Sequence, residues 1–208
     1  MYIGIAGNIG SGKTSLTKLL TESFGWKAHY ETTDDNPYLT DFYADMQRWS
    51  FQLQVYFLTH RFESIQRIRW TPETIVQDRT IYEDAYIFAE NLYHMGLMAE
   101  REYRSYMDLF KIMSSFLTPP DLLIYLKASV PTLVSQIQKR QRSFEVEIKS
   151  DYLSKLNERY DTWIEKYPGE LLVINVDDFD FVENTEHIEN VVNIIGRTVA
   201  NLADIKTN

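Results

Sequence analysis

Apolar positions in this chain follow two spacings. Short runs read as strands at residues 2–6, 27–31, 73–77, 121–126 and 171–174. The stretch 122–126 is apolar at every position, as a strand covered on both faces requires. Between the runs, apolar residues recur in steps of three and four, the repeat of a helix with one buried face. Leu16, Leu19 and Leu20 show it first, then Phe51, Val55, Leu58, Phe62 and Ile65 within a long helix over 46–69. Tyr82, Tyr86, Phe88 and Leu92 mark another helix, and 99–117, a segment opened by Pro131, and 151–167 follow. Ile188, Val191, Val192, Ile195 and Val199 give the closing one. Pro72 stops the long helix near Trp70, and Pro119-Pro120 stops 99–117. Strands alternating with helices predict an α/β fold: a five-stranded parallel sheet with helices on both faces, in a single domain over 1–208. The helical excursion between the second and third strands is an insertion able to build a pocket.

The first strand runs directly into Gly7-Asn8-Ile9-Gly10-Ser11-Gly12-Lys13-Thr14, and a helix follows. The segment fits G-x-x-x-x-G-K-[ST], and its strand–loop–helix context is that of a phosphate-binding P-loop. Glycines let the backbone wrap an anion, and successive N–H groups and the helix N-terminus then face the phosphates. Lys13 would neutralise the terminal phosphates, and Thr14 would offer its hydroxyl to Mg2+. Gly7, Asn8, Ile9, Gly10, Ser11, Gly12, Lys13, Thr14 and Ser15 are therefore the candidate nucleoside-triphosphate residues. The motif leaves open what receives the phosphate.

Composition narrows the acceptor. The net charge is −9, so the chain lacks the basic balance that a nucleic-acid polymer demands, although a few local cations suffice for a small nucleotide. Aromatic residues make up 14%, enough to fill a core and line a pocket for a flat ligand. There is no cysteine, which excludes disulfides and a thiol nucleophile and fits a reducing cytoplasm. No apolar run approaches the length of a membrane span. The P-loop strand begins beside Met1, which predicts no signal or transit peptide.

Several side chains carry candidate chemistry. Glu31 stands at the C-terminal end of the second strand and Asp78-Arg79-Thr80 at the end of the third, the edge where parallel sheets place ligands. Gln54 and Arg61 are two turns apart on one helical face and suit either a base edge or a solvated surface. Lys139-Arg140-Gln141-Arg142 is the densest basic cluster, either compensating a helix C-terminus or forming a lid, about 139–149, that closes on phosphates. The guanine motif N-K-x-D, a D-x-x-G switch and L-S-G-G-Q are all absent, which favours a small-molecule kinase over a GTPase or another triphosphate-driven module.

Trp49-Ser50-Phe51-x-x-Gln54, Asp78-Arg79-Thr80, the run 84–93 (DAYIFAENLY) and Arg140-x-Arg142-x-x-Glu145 together resemble the deoxyribonucleoside kinases, in particular the bacterial deoxyadenosine/deoxyguanosine branch. The resemblance implies a P-loop kinase with an Arg-containing lid that uses ATP and Mg2+. Glu31 is then the general base on the sugar 5′-hydroxyl, and Asp78 with Thr14 holds Mg2+. Arg79 orients the base and phosphates, with Thr80 where the family usually has Ser. Tyr43 and Glu145 grip the 3′-hydroxyl, and Gln54, Arg61 and Asp84 hold the nucleobase. Lys13, Arg140 and Arg142 stabilise the transferring phosphoryl. Gln136 stands at a lid position that is Arg in some relatives, and Phe57 where a small residue is frequent. Asp178 and Phe179 fall in the loop expected to meet the donor adenine. The Arg61–Asp84 pair favours deoxyadenosine, with deoxyguanosine and deoxycytidine as lesser substrates, over thymidine. A thymidylate-type monophosphate kinase shares the P-loop and often an Asp-Arg, but its acceptor needs no base, and Glu31, Tyr43 and Glu145 fit a nucleoside better. Feedback inhibition by dATP or another dNTP, spanning both sites, and a homodimer built on the 46–69 helix complete the expectation.

Overall fold

Tyr2–Gly7 (β1), buried at all six positions, occupies the centre of the sheet. The computed structural model describes residues 1–30, 36–68, 72–140, 148–182 and 184–207. β1 pairs with Ile75–Asp78 (β3) on one side and Leu122–Lys127 (β4) on the other. Lys27–His29 (β2) lies outside β3, and Leu171–Asn175 (β5) lies outside β4. The order is β2-β3-β1-β4-β5 and every pair is parallel, the predicted α/β sheet. Parallel pairing places the loops after β1, β2 and β3 on one edge, so the P-loop and Asp78 meet there.

Strand alternation divides the core into two layers. Leu122, Ile124 and Leu126 join Ile3, Ile5, Leu16, Leu133, Val191 and Ile195. That layer is covered by the helices Lys13–Phe24 (α1), Val130–Arg140 (α7) and Thr185–Thr207 (α9). Leu123 and Tyr125 instead join Leu58, Ile81, Leu92, Tyr106, Leu156 and Tyr160. The second layer is covered by Met46–Ile68 (α3), Glu100–Ser114 (α6) and Ser150–Glu165 (α8). Each aliphatic side chain so enclosed contributes about 1.5–3 kcal/mol relative to exposure.

Three elements depart from the sequence pattern. Leu39–Ala44 (α2) lies in a stretch that gave no helix signal; one and a half turns are too few for a period to show, and only Leu39 and Phe42 are buried. The helix marked by Tyr82 to Leu92 is not uniform. It runs as Ile81–Glu83 (α4), a π-helical turn at Asp84–Ala89 and Glu90–His94 (α5). β2 is three residues long rather than five, and β3 begins at Ile75 and extends through Asp78 rather than spanning 73–77.

Candidate active site

The P-loop is shaped by glycines that no other residue could replace without cost. Gly10 and Gly12 have φ of 85° and 89°. A Cβ on Gly10 would lie 2.8 Å from the Leu133 carbonyl, and one on Gly12 would lie 2.9 Å from the Phe181 ring. The loop is also anchored from outside. Asn8 Nδ2 donates to the Leu153 carbonyl at 2.9 Å and to Asn157 Oδ1 at 2.7 Å, fixing the turn to α8. Lys13, first residue of α1, is buried and donates from Nζ to the carbonyls of Gly7 at 2.8 Å and Asn8 at 2.9 Å.

Thr14 Oγ1 donates to Asp78 Oδ2 at 2.6 Å, so the end of β3 and the start of α1 bring a hydroxyl and a carboxylate together. Two hard oxygen donors suit Mg2+, which takes few protein ligands and fills the rest of its shell with water and phosphate oxygens.

Arg79 follows directly and adopts φ 69°, a left-handed conformation that costs a non-glycine residue energy. Its N–H still donates to the Ile5 carbonyl at 3.0 Å. The turn is held by a capping box: Glu83 Oε2 accepts from Thr80 N at 2.7 Å and from Thr80 Oγ1 at 3.1 Å. The guanidinium lies 4.4 Å over the Phe88 ring and donates to the Tyr160 hydroxyl at 3.3 Å.

Gly10, Gly12, Lys13, Thr14 and Ser15 line a cavity of about 460 Å³, and Arg79, Tyr43, Gln54 and Asp84 line the same cavity. Leu39, Phe42, Leu53, Phe57, Phe88 and Tyr152 supply its apolar wall, and Gln136, Lys139 and Arg140 come from α7. Gln54 is 3% exposed, and its Oε1 has no hydrogen-bond partner among the described residues. Asp84 is fixed by Arg61, whose Nε and Nη2 grip the two carboxylate oxygens at 2.5 and 3.1 Å. Such a fork sets the plane of the carboxylate.

A family description, deoxynucleoside kinase, matches residues 3–200. The deoxyadenosine/deoxycytidine kinase of Bacillus subtilis (strain 168) is 37% identical over 200 residues, covering 95% of this chain and 92% of that one. The deoxyadenosine kinase of Lactobacillus acidophilus (strain ATCC 700396 / NCK56 / N2 / NCFM) is 37% identical over 215 residues, 98% of each chain. Among solved structures, deoxyadenosine kinase from M. mycoides with bound dATP superposes with a TM-score of 0.83 at 28% identity, covering 94% of this chain and 99% of that one. The chain belongs to the deoxynucleoside kinase family.

Within this kinase the structure brings together Lys13, Thr14, Tyr43, Gln54, Arg79, Asp84 and Arg140. Gly7, Asn8, Ser11 and Asp78 form the loop and strand end beneath the cavity without lining it, and Arg61, Asp178 and Phe179 also lie off its wall. Arg61 is buried behind Asp84, where Nη1 also donates to the carbonyls of Arg79 at 3.2 Å and Asp78 at 3.5 Å. It holds Asp84 and the turn rather than facing the cavity. In the loop after β5, Asp180 and Val182 line the wall in place of Asp178 and Phe179. Asp178 accepts from Asn175 Nδ2 at 2.7 Å, and Phe179 packs its ring edge-on to His187. Glu31, Arg142 and Glu145, and with them most of the lid, lie outside the described residues.

Sequence reading missed Glu83 and Tyr160. Thr80-x-x-Glu83 is the capping-box pattern and would have flagged Glu83. Tyr160 carries no local signal, because it reaches the loop only through the packing of α8.

Proposed function

We propose that this kinase transfers the γ-phosphoryl of ATP to the 5′-hydroxyl of a deoxyribonucleoside in nucleotide salvage, with deoxyadenosine preferred and deoxyguanosine and deoxycytidine as lesser substrates. The observation that carries the reading is the shared cavity: one space is lined by the P-loop and by Gln54 and Asp84. A triphosphate on the loop and a base against Gln54 and Asp84 then lie in one enclosure, with Arg79 in the same wall. The two deoxyadenosine-directed relatives described above support the choice of base. Asp84 accepts from an exocyclic amino group, and Gln54 offers an amide able to donate and accept at a base edge, a pairing that suits adenine.

In the reaction Lys13, Arg79 and the lid arginines Arg140 and Arg142 offset the charge that develops on the transferring phosphoryl. Thr14 and Asp78 would hold Mg2+, which supplies further neutralisation of the β- and γ-phosphates when bound. Glu31 takes the 5′-hydroxyl proton, and Tyr43 and Glu145 hold the 3′-hydroxyl. The loop that contributes Asp180 and Val182 meets the donor adenine. The protein works in the cytoplasm as a homodimer and is inhibited by dATP spanning both subsites. The M. mycoides kinase with bound dATP makes such an inhibitor reasonable. Phosphorylation of the four deoxynucleosides, dTMP and dAMP with Mg-ATP tests the reading.

A further inference from the structure

Behind the phosphate end of the cavity lies a buried polar cluster that does not line it. Glu83 and Tyr160 are both 0% exposed. A buried carboxylate is costly unless hydrogen-bonded, and here both oxygens are used. Oε1 accepts from Gly7 N at 3.1 Å and from the Tyr160 hydroxyl at 2.8 Å, while Oε2 closes the Thr80 turn. The Tyr160 hydroxyl also lies 2.8 Å from the Gly7 carbonyl and accepts from Arg79 Nη1 at 3.3 Å. That same Gly7 carbonyl holds Lys13 Nζ at 2.8 Å. The Gly7 peptide is thus held on its N–H by Glu83, while its carbonyl shares the single Tyr160 proton with Glu83 Oε1, both acceptors at 2.8 Å, and Lys13 hangs from that carbonyl. Arg79 is held by both: its guanidinium by Tyr160 and by Glu83 Oε1 at 3.8 Å, its left-handed backbone by the Thr80 turn that Glu83 closes. Burial, with the Glu83 carboxylate next, pushes the Tyr160 hydroxyl well above the usual range, so it keeps its proton at neutral pH.

We infer that Tyr160 and Glu83 are positioning residues that keep the Lys13 ammonium and the Arg79 guanidinium in register across the P-loop. Neither touches the cavity; both act through the two cations that do. The inference rests on the reading of the cavity as a phosphoryl-transfer site.

Tyr160→Phe is the sharpest probe, since it removes one hydroxyl and keeps the ring stacked on Tyr125 at 5.6 Å. With Mg2+ and a non-hydrolysable ATP analogue, calorimetry should give a Kd raised about tenfold, the effect of one hydrogen bond. The kcat should fall by a similar factor while KM for deoxyadenosine stays within about twofold. In a Lys13→Met background the Tyr160→Phe loss of analogue affinity should shrink, the non-additivity of a residue acting through another. Unchanged affinity and kcat would overturn the inference, as would an equal loss in the Lys13→Met background or a matching rise in KM for deoxyadenosine. Glu83→Gln should show the same split with a lower melting temperature, because its amide would set a donor against Gly7 N–H or Thr80 N–H. If that variant does not fold, Tyr160→Phe decides alone. A wild-type protein that binds the analogue yet phosphorylates no deoxynucleoside retires the kinase reading and leaves the analogue cycle to judge the pair. An active wild type with an indifferent Tyr160→Phe retires only the pair. A wild type that does not bind the analogue overturns both.

Discussion

A sugar hydroxyl is a weak nucleophile until something accepts its proton, and Glu31 is the carboxylate we propose for that task. Glu31→Gln keeps the shape and removes the base; kcat for deoxyadenosine should drop roughly 100-fold or more with substrate affinity retained. Turnover within a few-fold of wild type would take the base role from Glu31. Asp84 calls for a gentler change, because Asp84→Ala would strand Arg61, buried and gripped by that carboxylate, at a cost of about 3–5 kcal/mol. Asp84→Asn keeps the volume and one acceptor while adding an amide donor. In steady-state assays it should lower kcat/KM for deoxyadenosine about tenfold and narrow the gap to thymidine. An unchanged base preference would make Asp84 a structural partner of Arg61 alone. That Gln54 and Asp84 line the cavity was legible from position and family pattern. Helical spacing puts Arg61 on the Gln54 face, but it lies off the cavity wall, and its fork to Asp84 is a contact between α3 and the π-helical turn that no spacing reveals.

Elements differ in how much of them a sequence can show. Strands β1 and β4 and helices α3 and α9 were readable because many positions repeat one pattern, and α3 begins at the expected Met46. The π-helical turn was not, since Tyr82, Tyr86, Phe88 and Leu92 fit an ordinary helix equally well and one extra residue per turn leaves no compositional trace. The short β2 edge makes a testable contact with α3: His29 Nδ1 lies 3.0 Å from Ser64 Oγ. Burial, and then the Arg67 guanidinium, hold the His29 imidazole below its ordinary value of 6.5. The folded state therefore binds that proton less readily than the unfolded chain. Stability from this group is present in full above about pH 6.5 and declines as pH falls through that value towards the lower folded pKa. Melting temperatures between pH 7.5 and 5 should fall more steeply for wild type than for His29→Gln. Parallel curves would show that His29 does not contribute.

For the whole molecule, the sheet edge gathers the P-loop, Asp78 and Arg79, and the helical insertion after β2 closes a cavity over them. The apolar stripe of α3 proposed for dimerisation is spent partly within the chain, for Leu58 and Ile65 are buried. Support for a dimer shifts towards α6, which packs on α3 and exposes Leu109 and Ile112, the latter 61% exposed, with Phe116 beyond its end at 59%. Sedimentation at micromolar concentration should give a dimer, and Ile112→Glu should shift it towards monomer; a wild-type monomer would remove the proposal. No helix among the described residues is long and apolar enough to cross a membrane. The central claim, one cavity joining a triphosphate to a deoxynucleoside, is tested most directly by steady-state phosphorylation of the four deoxynucleosides, dTMP and dAMP with Mg-ATP. Strong activity is expected on deoxyadenosine, weaker on deoxyguanosine and deoxycytidine and little on thymidine, with inhibition when dATP is added. Activity confined to a monophosphate would contradict it, leaving the P-loop reading intact and the acceptor, with the role of Glu31, wrong.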